Sequence, residues 1–164
     1  MSDEFRPTDL LRQLVDHDVD FVIVGGVAGT LAGSPIVTND LDVVYATDPP
    51  NLARLVGLLS EIDAHYHDPA GRRVRPDAEK LSRFKVSLLT TELGRLDLLR
   101  EIGEGWGYGE LVERSVQYQL DDSAILAIDL ETLIEAKVLA GRDKDLHALP
   151  FLRRLLLLER GRRD

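Results

Sequence analysis

Cysteine is absent from all 164 residues, which excludes a disulfide framework and any metal site held by thiolates. The opening residues, Met1-Ser-Asp-Glu-Phe-Arg6, lack the basic and then apolar profile of a signal peptide. No apolar run approaches the roughly 20 residues that a membrane-spanning helix needs. A cytoplasmic protein with no membrane partner is the expectation. Internal repeats, low-complexity tracts and disorder-like stretches are missing too. With 44% hydrophobic and 30% charged residues, residues 1–164 are expected to form a single domain with a sizeable core. An excess of positive charge is also lacking. The net charge of −9 argues against non-specific nucleic-acid binding over the whole surface. It leaves room for local basic clusters, of which there are two: Arg72, Arg73, Arg75, Lys80, Arg83 and Lys85, and a C-terminal group from Arg153 to Arg163.

What is present alternates between helical and strand-like patterns. Thr8 to Asp18 places Leu10, Leu11, Leu14 and Val15 at helical spacing,. Val19 to Val24 reads as a buried strand broken by Gly25 and Gly26, with a short helix from Val27 to Ala32. Asp40 to Tyr45 is a second strand, and Asp48-Pro-Pro introduces an amphipathic helix from Asn51 to Ile62. The polar, proline- and arginine-rich stretch from His65 to Ser82 reads as a loop. Phe84 to Thr90 and Arg95 to Leu99 have hairpin spacing. Glycines surround Trp106 and Tyr108, and Glu110 to Arg114 reads as a short helix. Strands at Ser115–Leu120 and Ala124–Ile128 follow. The chain closes with helices at Leu130–Ala140, capped by Asp129, and Asp143–Leu158. The fold class is therefore α/β (α+β), with a small mixed β-sheet flanked by helices.

Chemistry concentrates in three places. Alternation along a strand puts Asp40 and Asp42 on one face and Leu41 and Val43 on the other. Two carboxylates so placed, at roughly 4 Å and an effective dielectric of about 20, repel by about 4 kcal/mol. A divalent ion or a basic side chain between them would relieve that cost. Asp97, in Arg95-Leu-Asp-Leu-Leu99, is a third carboxylate within an apolar strand and projects away from Leu96 and Leu98. Three carboxylates on neighbouring strands match the oxygen ligands that Mg²⁺ takes, the remaining positions being filled by water and phosphates. Gly25 and Gly26 would let backbone N–H groups approach a phosphate at a helix start, or simply make a tight turn. They do not form a dinucleotide-binding fingerprint, because Gly25-Gly-Val-Ala-Gly29 has the wrong spacing, and no P-loop Gly-Lys-Ser/Thr follows. His65-Tyr-His67 has no third metal ligand in view. Trp106 and Tyr108 fit the anchoring of a glycine-rich loop better than stacking on a base.

Taken together, Val24-Gly-Gly-x-Ala28, Thr38-Asn-Asp-Leu-Asp42 and Asp97 resemble the nucleotidyltransferase superfamily that includes DNA polymerase beta. Within it they look like the small bacterial nucleotidyltransferases, among them the toxins of abortive-infection-type toxin–antitoxin pairs. Glu135-Ala-Lys137 and Arg142-Asp-Lys144-Asp145 resemble the later helices of that group. The resemblance spans roughly residues 19 to 147. It implies a nucleotidyltransferase fold in which Asp40, Asp42 and Asp97 are catalytic and bind Mg²⁺, Asp97 also helping to activate the acceptor hydroxyl. Gly25, Gly26 and Thr38 would bind the nucleotide, and Lys137 and Lys144 would contact phosphates or pair with Asp143 or Asp145. The reaction implied is attack on the α-phosphate of an NTP with loss of pyrophosphate, the acceptor being an RNA such as a tRNA end, or a protein, and the partner a cognate antitoxin. The chain departs from the group at Ile36, where many relatives carry arginine, at Gly26, often serine, and in ending soon after the core. Two other functions stand beside this one: a catalytically inactive nucleotidyltransferase-fold module that binds nucleotide or protein, and an antibiotic nucleotidyltransferase.

Overall fold

In the computed structural model, which describes residues 4–163, a mixed seven-stranded sheet carries the chain. Its order is β3-β4-β5-β2-β1-β7-β6. The strands are β1 Phe21–Val24, β2 Asp40–Tyr45, β3 His65–Tyr66, β4 Val86–Thr91, β5 Gly94–Leu99, β6 Ser115–Leu120 and β7 Ser123–Ile128. The helices are α1 Pro7–Asp16, α2 Gly25–Leu31, α3 Pro49–Glu61, α4 Ala78–Arg83, α5 Tyr108–Val112, α6 Leu130–Ala140 and α7 Asp143–Arg163. The expected fold class holds.

The central strands read as apolar because both faces are covered. All four residues of β1 are buried, between β2 running antiparallel and β7 running parallel. α1 packs Leu10, Leu11 and Leu14 into the core, and α3 adds Leu52, Leu55, Leu58 and Leu59. Asp48 caps α3 by accepting a hydrogen bond from the Asn51 amide at 3.3 Å, with proline in the first turn where no donor is missed. Asn51 itself is fully buried. Its side-chain oxygen accepts from the Asp20 amide at 2.7 Å, and its nitrogen donates to the Asp20 and Ala46 carbonyls at 3.1 and 2.8 Å. One side chain thereby ties the start of β1 to the end of β2, reinforcing the backbone bond from the Ala46 amide to the Asp20 carbonyl at 3.1 Å,.

β2 pairs in parallel with β5, and β5 in turn makes a hairpin with β4. The turn is tighter than the sequence suggested, since Thr91 and Gly94 form the last pair and only Glu92 and Leu93 lie outside the ladder. Gly94 takes φ +106° there, a conformation open to glycine and strained for other residues.

The stretch from His65 to Ser82 departs from expectation. It contains β3, paired with β4, and α4, capped by Asp77 on the Lys80 amide at 2.7 Å. Proline and arginine density masked both elements. The arginines are spaced to meet local carboxylates: Arg72 with Asp68, Arg73 and Arg75 with Asp63, Lys80 with Asp77, Arg83 with Glu79, and Lys85 with Glu101. The central basic cluster is thus matched in place. α4 seals the face opposite to Asp40 and Asp42, where the Tyr45 hydroxyl donates to the Leu81 carbonyl at 2.7 Å. No helix among the described residues is long and apolar enough to cross a membrane.

Candidate functional site

β2 and β5 lie in a register that sets Asp42 directly against Asp97, and Asp40 against Arg95. Parallel pairing with matched alternation brings all three carboxylates to one face, as the strand periodicity predicts. Asp40, Asp42 and Asp97 can offer oxygens that all lie within 4.8 Å of one another. They are the only such group of metal-ligating side chains among the described residues, and the His65 ring instead contacts the Asp63 carbonyl at 3.1 Å.

The electrostatics of the cluster are unfavourable as it stands. Burial, and then the charges of Asp40 and Asp97, push the Asp42 carboxyl up to about 8, with Lys144 acting against them. Burial, and then the charge of Asp40, push Asp97 up to about 6, Arg95 acting against them from 3.9 Å away. Asp42 Oδ1 and Asp97 Oδ1 are both buried and lack a hydrogen-bond partner among the described residues. Buried carboxylate oxygens are rarely left so, because each one forfeits its hydration. A hard divalent cation is the chemistry that this donor set fits, since it takes carboxylate oxygens and keeps water and phosphate on its remaining positions.

The glycine pair owes its identity to the same crowding. α2 begins at Gly25 itself, two residues earlier than the pattern suggested. Gly25 has φ +66°, and a Cβ there would lie 2.3 Å from Asp42 Oδ2. A Cβ on Gly26 would lie 2.7 Å from Thr38 Oγ1. Thr38 is held in turn, its hydroxyl donating to the Asp40 carbonyl at 3.1 Å. Side chains at positions 25 and 26 would displace the carboxylate or the threonine, so the turn and the acidic cluster require each other.

These residues border a cavity of about 580 Å³, a size suited to a small ligand. Gly25, Gly26, Thr38, Asp40 and Asp42 line it on the sheet side. Lys137, Arg142, Lys144 and Asp145 line it from α6, α7 and the connection between them. Ile36, Leu133, Ala136 and Leu152 give it an apolar wall. Lys137 pairs with Asp145 at 3.5 Å, so one of the two ion pairs weighed from the sequence exists, and the lysine still faces the cavity. Arg95 and Glu101 also line it, neither of them among the sequence-based candidates. Arg95 could have been one, being two residues from Asp97 on the same strand face. Glu101, beyond the strand end, had no such signal. Trp106 is buried and stays out of the cavity: Ile102 and Trp106 bridge across the glycine loop, and the Arg114 guanidinium sits 4.3 Å from the Trp106 ring centre.

Comparison with protein-family models and with curated proteins returns no match. Comparison with solved structures does. A lincosamide antibiotic adenylyltransferase, crystallised with lincomycin bound, superposes with a TM-score of 0.60 at 14% identity, over 94% of this chain and 99% of that one. An antigenic nucleotidyltransferase-like protein from Paracoccidioides brasiliensis gives 0.55 at 18% identity, over 90% of this chain and 73% of that one. A candidate nucleotidyltransferase from Thermotoga maritima gives 0.53 at 18% identity, over 94% and 96%. At such identities the likeness is one of architecture, and the architecture is the nucleotidyltransferase fold.

Proposed function

We propose that the chain moves a nucleoside monophosphate from an NTP to the hydroxyl of an acceptor, with Mg²⁺ as cofactor. The observation that carries this reading is the cluster itself: three carboxylates on adjacent strands, two with buried, partnerless oxygens, beside a glycine turn and a cavity lined by lysines. Asp40, Asp42 and Asp97 would hold the ion. When bound, a divalent cation supplies positive charge to phosphate oxygens on which negative charge develops.

The remaining tasks fall to the chain. The backbone amides of Gly25 and Gly26 would receive phosphate oxygens, joined by the Thr38 hydroxyl once it turns from the Asp40 carbonyl, and Lys137 and Lys144 would neutralise them from α6 and α7. The acceptor oxygen bonds to the α-phosphorus as the bond to the bridging oxygen breaks, and pyrophosphate leaves. Asp97, on the strand beside Asp42, would orient the acceptor hydroxyl and accept its proton as the new bond forms. A reaction of this kind asks for positioning and charge stabilisation more than for covalent chemistry by the protein.

Two observations favour a small-molecule acceptor such as an antibiotic. The fold match covers 99% of the lincosamide adenylyltransferase chain, which was crystallised with the antibiotic bound. The central basic residues, which an RNA acceptor would use, are engaged with neighbouring carboxylates. The toxin reading, with a tRNA or protein acceptor and a cognate antitoxin, rests on the Gly25-Gly26 and Asp40-Leu-Asp42 motif and predicts growth arrest on expression that Asp40→Ala abolishes. Incubation with α-labelled NTPs, Mg²⁺ and a panel of antibiotics, RNA and proteins tests transfer directly. Label transfer that Asp42→Asn eliminates is expected. Binding of Mg²⁺–NTP with no transfer to any acceptor would instead establish an inactive nucleotide-binding module, the reading that Ile36 and Gly26 leave standing.

A further inference from the structure

The corner between α6 and α7 presents more positive charge to the cavity than its own carboxylate needs. Asp145, on the first turn of α7, is 2% exposed and more deeply buried than Asp97. Its Oδ2 accepts from Arg142 Nε at 2.7 Å. Its Oδ1 accepts from Arg142 Nη2 at 3.3 Å and from Lys137 Nζ at 3.5 Å. Lys137 comes from the body of α6. Arg142 follows Gly141, whose φ of +64° ends that helix, so one carboxylate ties together cations from both sides of the elbow. Burial alone would raise the Asp145 carboxyl. The Arg142 hydrogen bonds, with Lys137 adding, outweigh it and hold the group below the ordinary range.

One cation would balance Asp145, yet two are present. All three side chains line the cavity that Asp40 and Asp42 line from the sheet, and Arg142 is placed to feel the charges of both of those carboxylates. A surplus positive charge fixed on a cavity wall is a binding feature for an anion. Arginine held through two hydrogen bonds keeps its remaining N–H donors in a set plane, which suits phosphate oxygens.

We infer that Asp145 is a positioning residue that fixes Lys137 and Arg142 as a cation pair for the phosphate tail of an incoming nucleotide, with Arg142 contacting phosphate directly. The inference rests on the nucleotidyltransferase reading and adds to it a residue, Arg142, and the device that orients it. Asp145 itself touches neither nucleotide nor metal.

The test is calorimetric titration with inorganic tripolyphosphate in the presence of Mn²⁺, set beside titration with Mn²⁺ alone. Arg142→Lys keeps the charge and loses the two-point contact with Asp145. It is expected to weaken tripolyphosphate binding about tenfold and leave Mn²⁺ binding unchanged. Asp145→Asn should weaken it to a similar extent, and the double variant should be little worse than either single, as expected of groups acting as one unit. Should Asp145→Asn fail to fold by circular dichroism, Arg142→Lys decides alone, because that side chain is largely exposed. Wild-type affinity for tripolyphosphate in Arg142→Lys would overturn the inference and leave the nucleotidyltransferase reading intact. A parallel fall in Mn²⁺ binding would also overturn it, by showing a general structural role. If the wild type itself bound no tripolyphosphate with Mn²⁺, the nucleotidyltransferase reading would fall first.

Discussion

Replacing Asp42 by asparagine is expected to make the metal-free protein more stable and the metal-loaded protein less so. The three carboxylates offer oxygens within 4.8 Å of one another. At an effective dielectric of about 20, one fully charged pair at that distance repels by about 3.5 kcal/mol. Burial and this repulsion push Asp42 up to about 8 and Asp97 up to about 6, so part of the cost is escaped by retaining protons. The sign follows from linkage. A carboxyl raised in the native state binds its proton where the unfolded chain does not, so its contribution to stability is full below the unfolded value near 4 and is lost as pH rises through about 8. These two carboxyls should therefore take stability away from metal-free wild type between pH 4 and 8, a loss read as the difference from the variant. The amide that Asp42→Asn introduces carries no charge over this range. At pH 8.5 in EDTA the variant should gain on the order of 2 kcal/mol, about 4–8 °C in melting temperature for a chain of this size, and at pH 4.5 the gain should vanish. Mg²⁺ or Mn²⁺ at about a hundred times its dissociation constant adds about 2.7 kcal/mol to a protein that binds it. It should do so for wild type increasingly from pH 6 to 8, as the carboxyl protons are displaced, and scarcely at all for Asp42→Asn. Scanning calorimetry of both proteins, with and without metal at three pH values, reads every one of these signs. A variant that melts below wild type in EDTA at pH 8.5, or that keeps the wild-type metal shift, would refute the argument.

Other substitutions probe other links. Gly25→Ala combines a left-handed backbone with a methyl placed 2.3 Å from Asp42 Oδ2. It should cost about 2 kcal/mol or more in urea unfolding, and a cost below about 0.5 kcal/mol would mean that the turn relaxes freely. Asn51→Leu strands the Asp20 amide and the Ala46 carbonyl, while the Asp20 carbonyl keeps the Ala46 amide, with a loss of about 2 kcal/mol by the same measurement; near-neutrality would count against the clamp between β1 and β2. Arg114→Ala removes the cation over the single tryptophan. Intrinsic fluorescence should shift and stability fall by about 1 kcal/mol, and an unchanged emission spectrum would place Arg114 elsewhere in solution.

Much of the site was legible because strand alternation is a local rule. Asp40 and Asp42 share a face by spacing alone, and Asp97 turns away from Leu96 and Leu98 by the same rule; it is the β2–β5 register that sets Asp97 beside them. The glycine pair was legible as a turn, but its cause was not: that Gly25 makes room for Asp42 is a contact across 17 positions of sequence, and a Cβ clash leaves no periodic trace. β3 and α4 were lost within a stretch whose prolines and arginines resemble a loop, because two paired residues and six helical ones are too short to show a period. The α6–α7 corner was half legible. Arg142, Lys144 and Asp145 are visible as charges on a helix start, but which of them turn inward depends on the reversal at Gly141. Asp145 counts as surface acid by composition and is among the most buried polar groups in the fold.

The pairing of nearly every basic residue between Arg72 and Lys85 has a kinetic consequence. Those pairs are surface contacts that add little to stability, but they leave the net charge of −9 uncompensated by any cationic landing zone there. A polyanion approaching from solution is therefore repelled until it comes within about a Debye length, some 8 Å at physiological ionic strength, of the few cations at the α6–α7 corner. Encounter with a triphosphate should accelerate as salt is added, the reverse of the behaviour of a basic nucleotide-binding surface, whereas a cationic small molecule should be drawn in fastest at low salt.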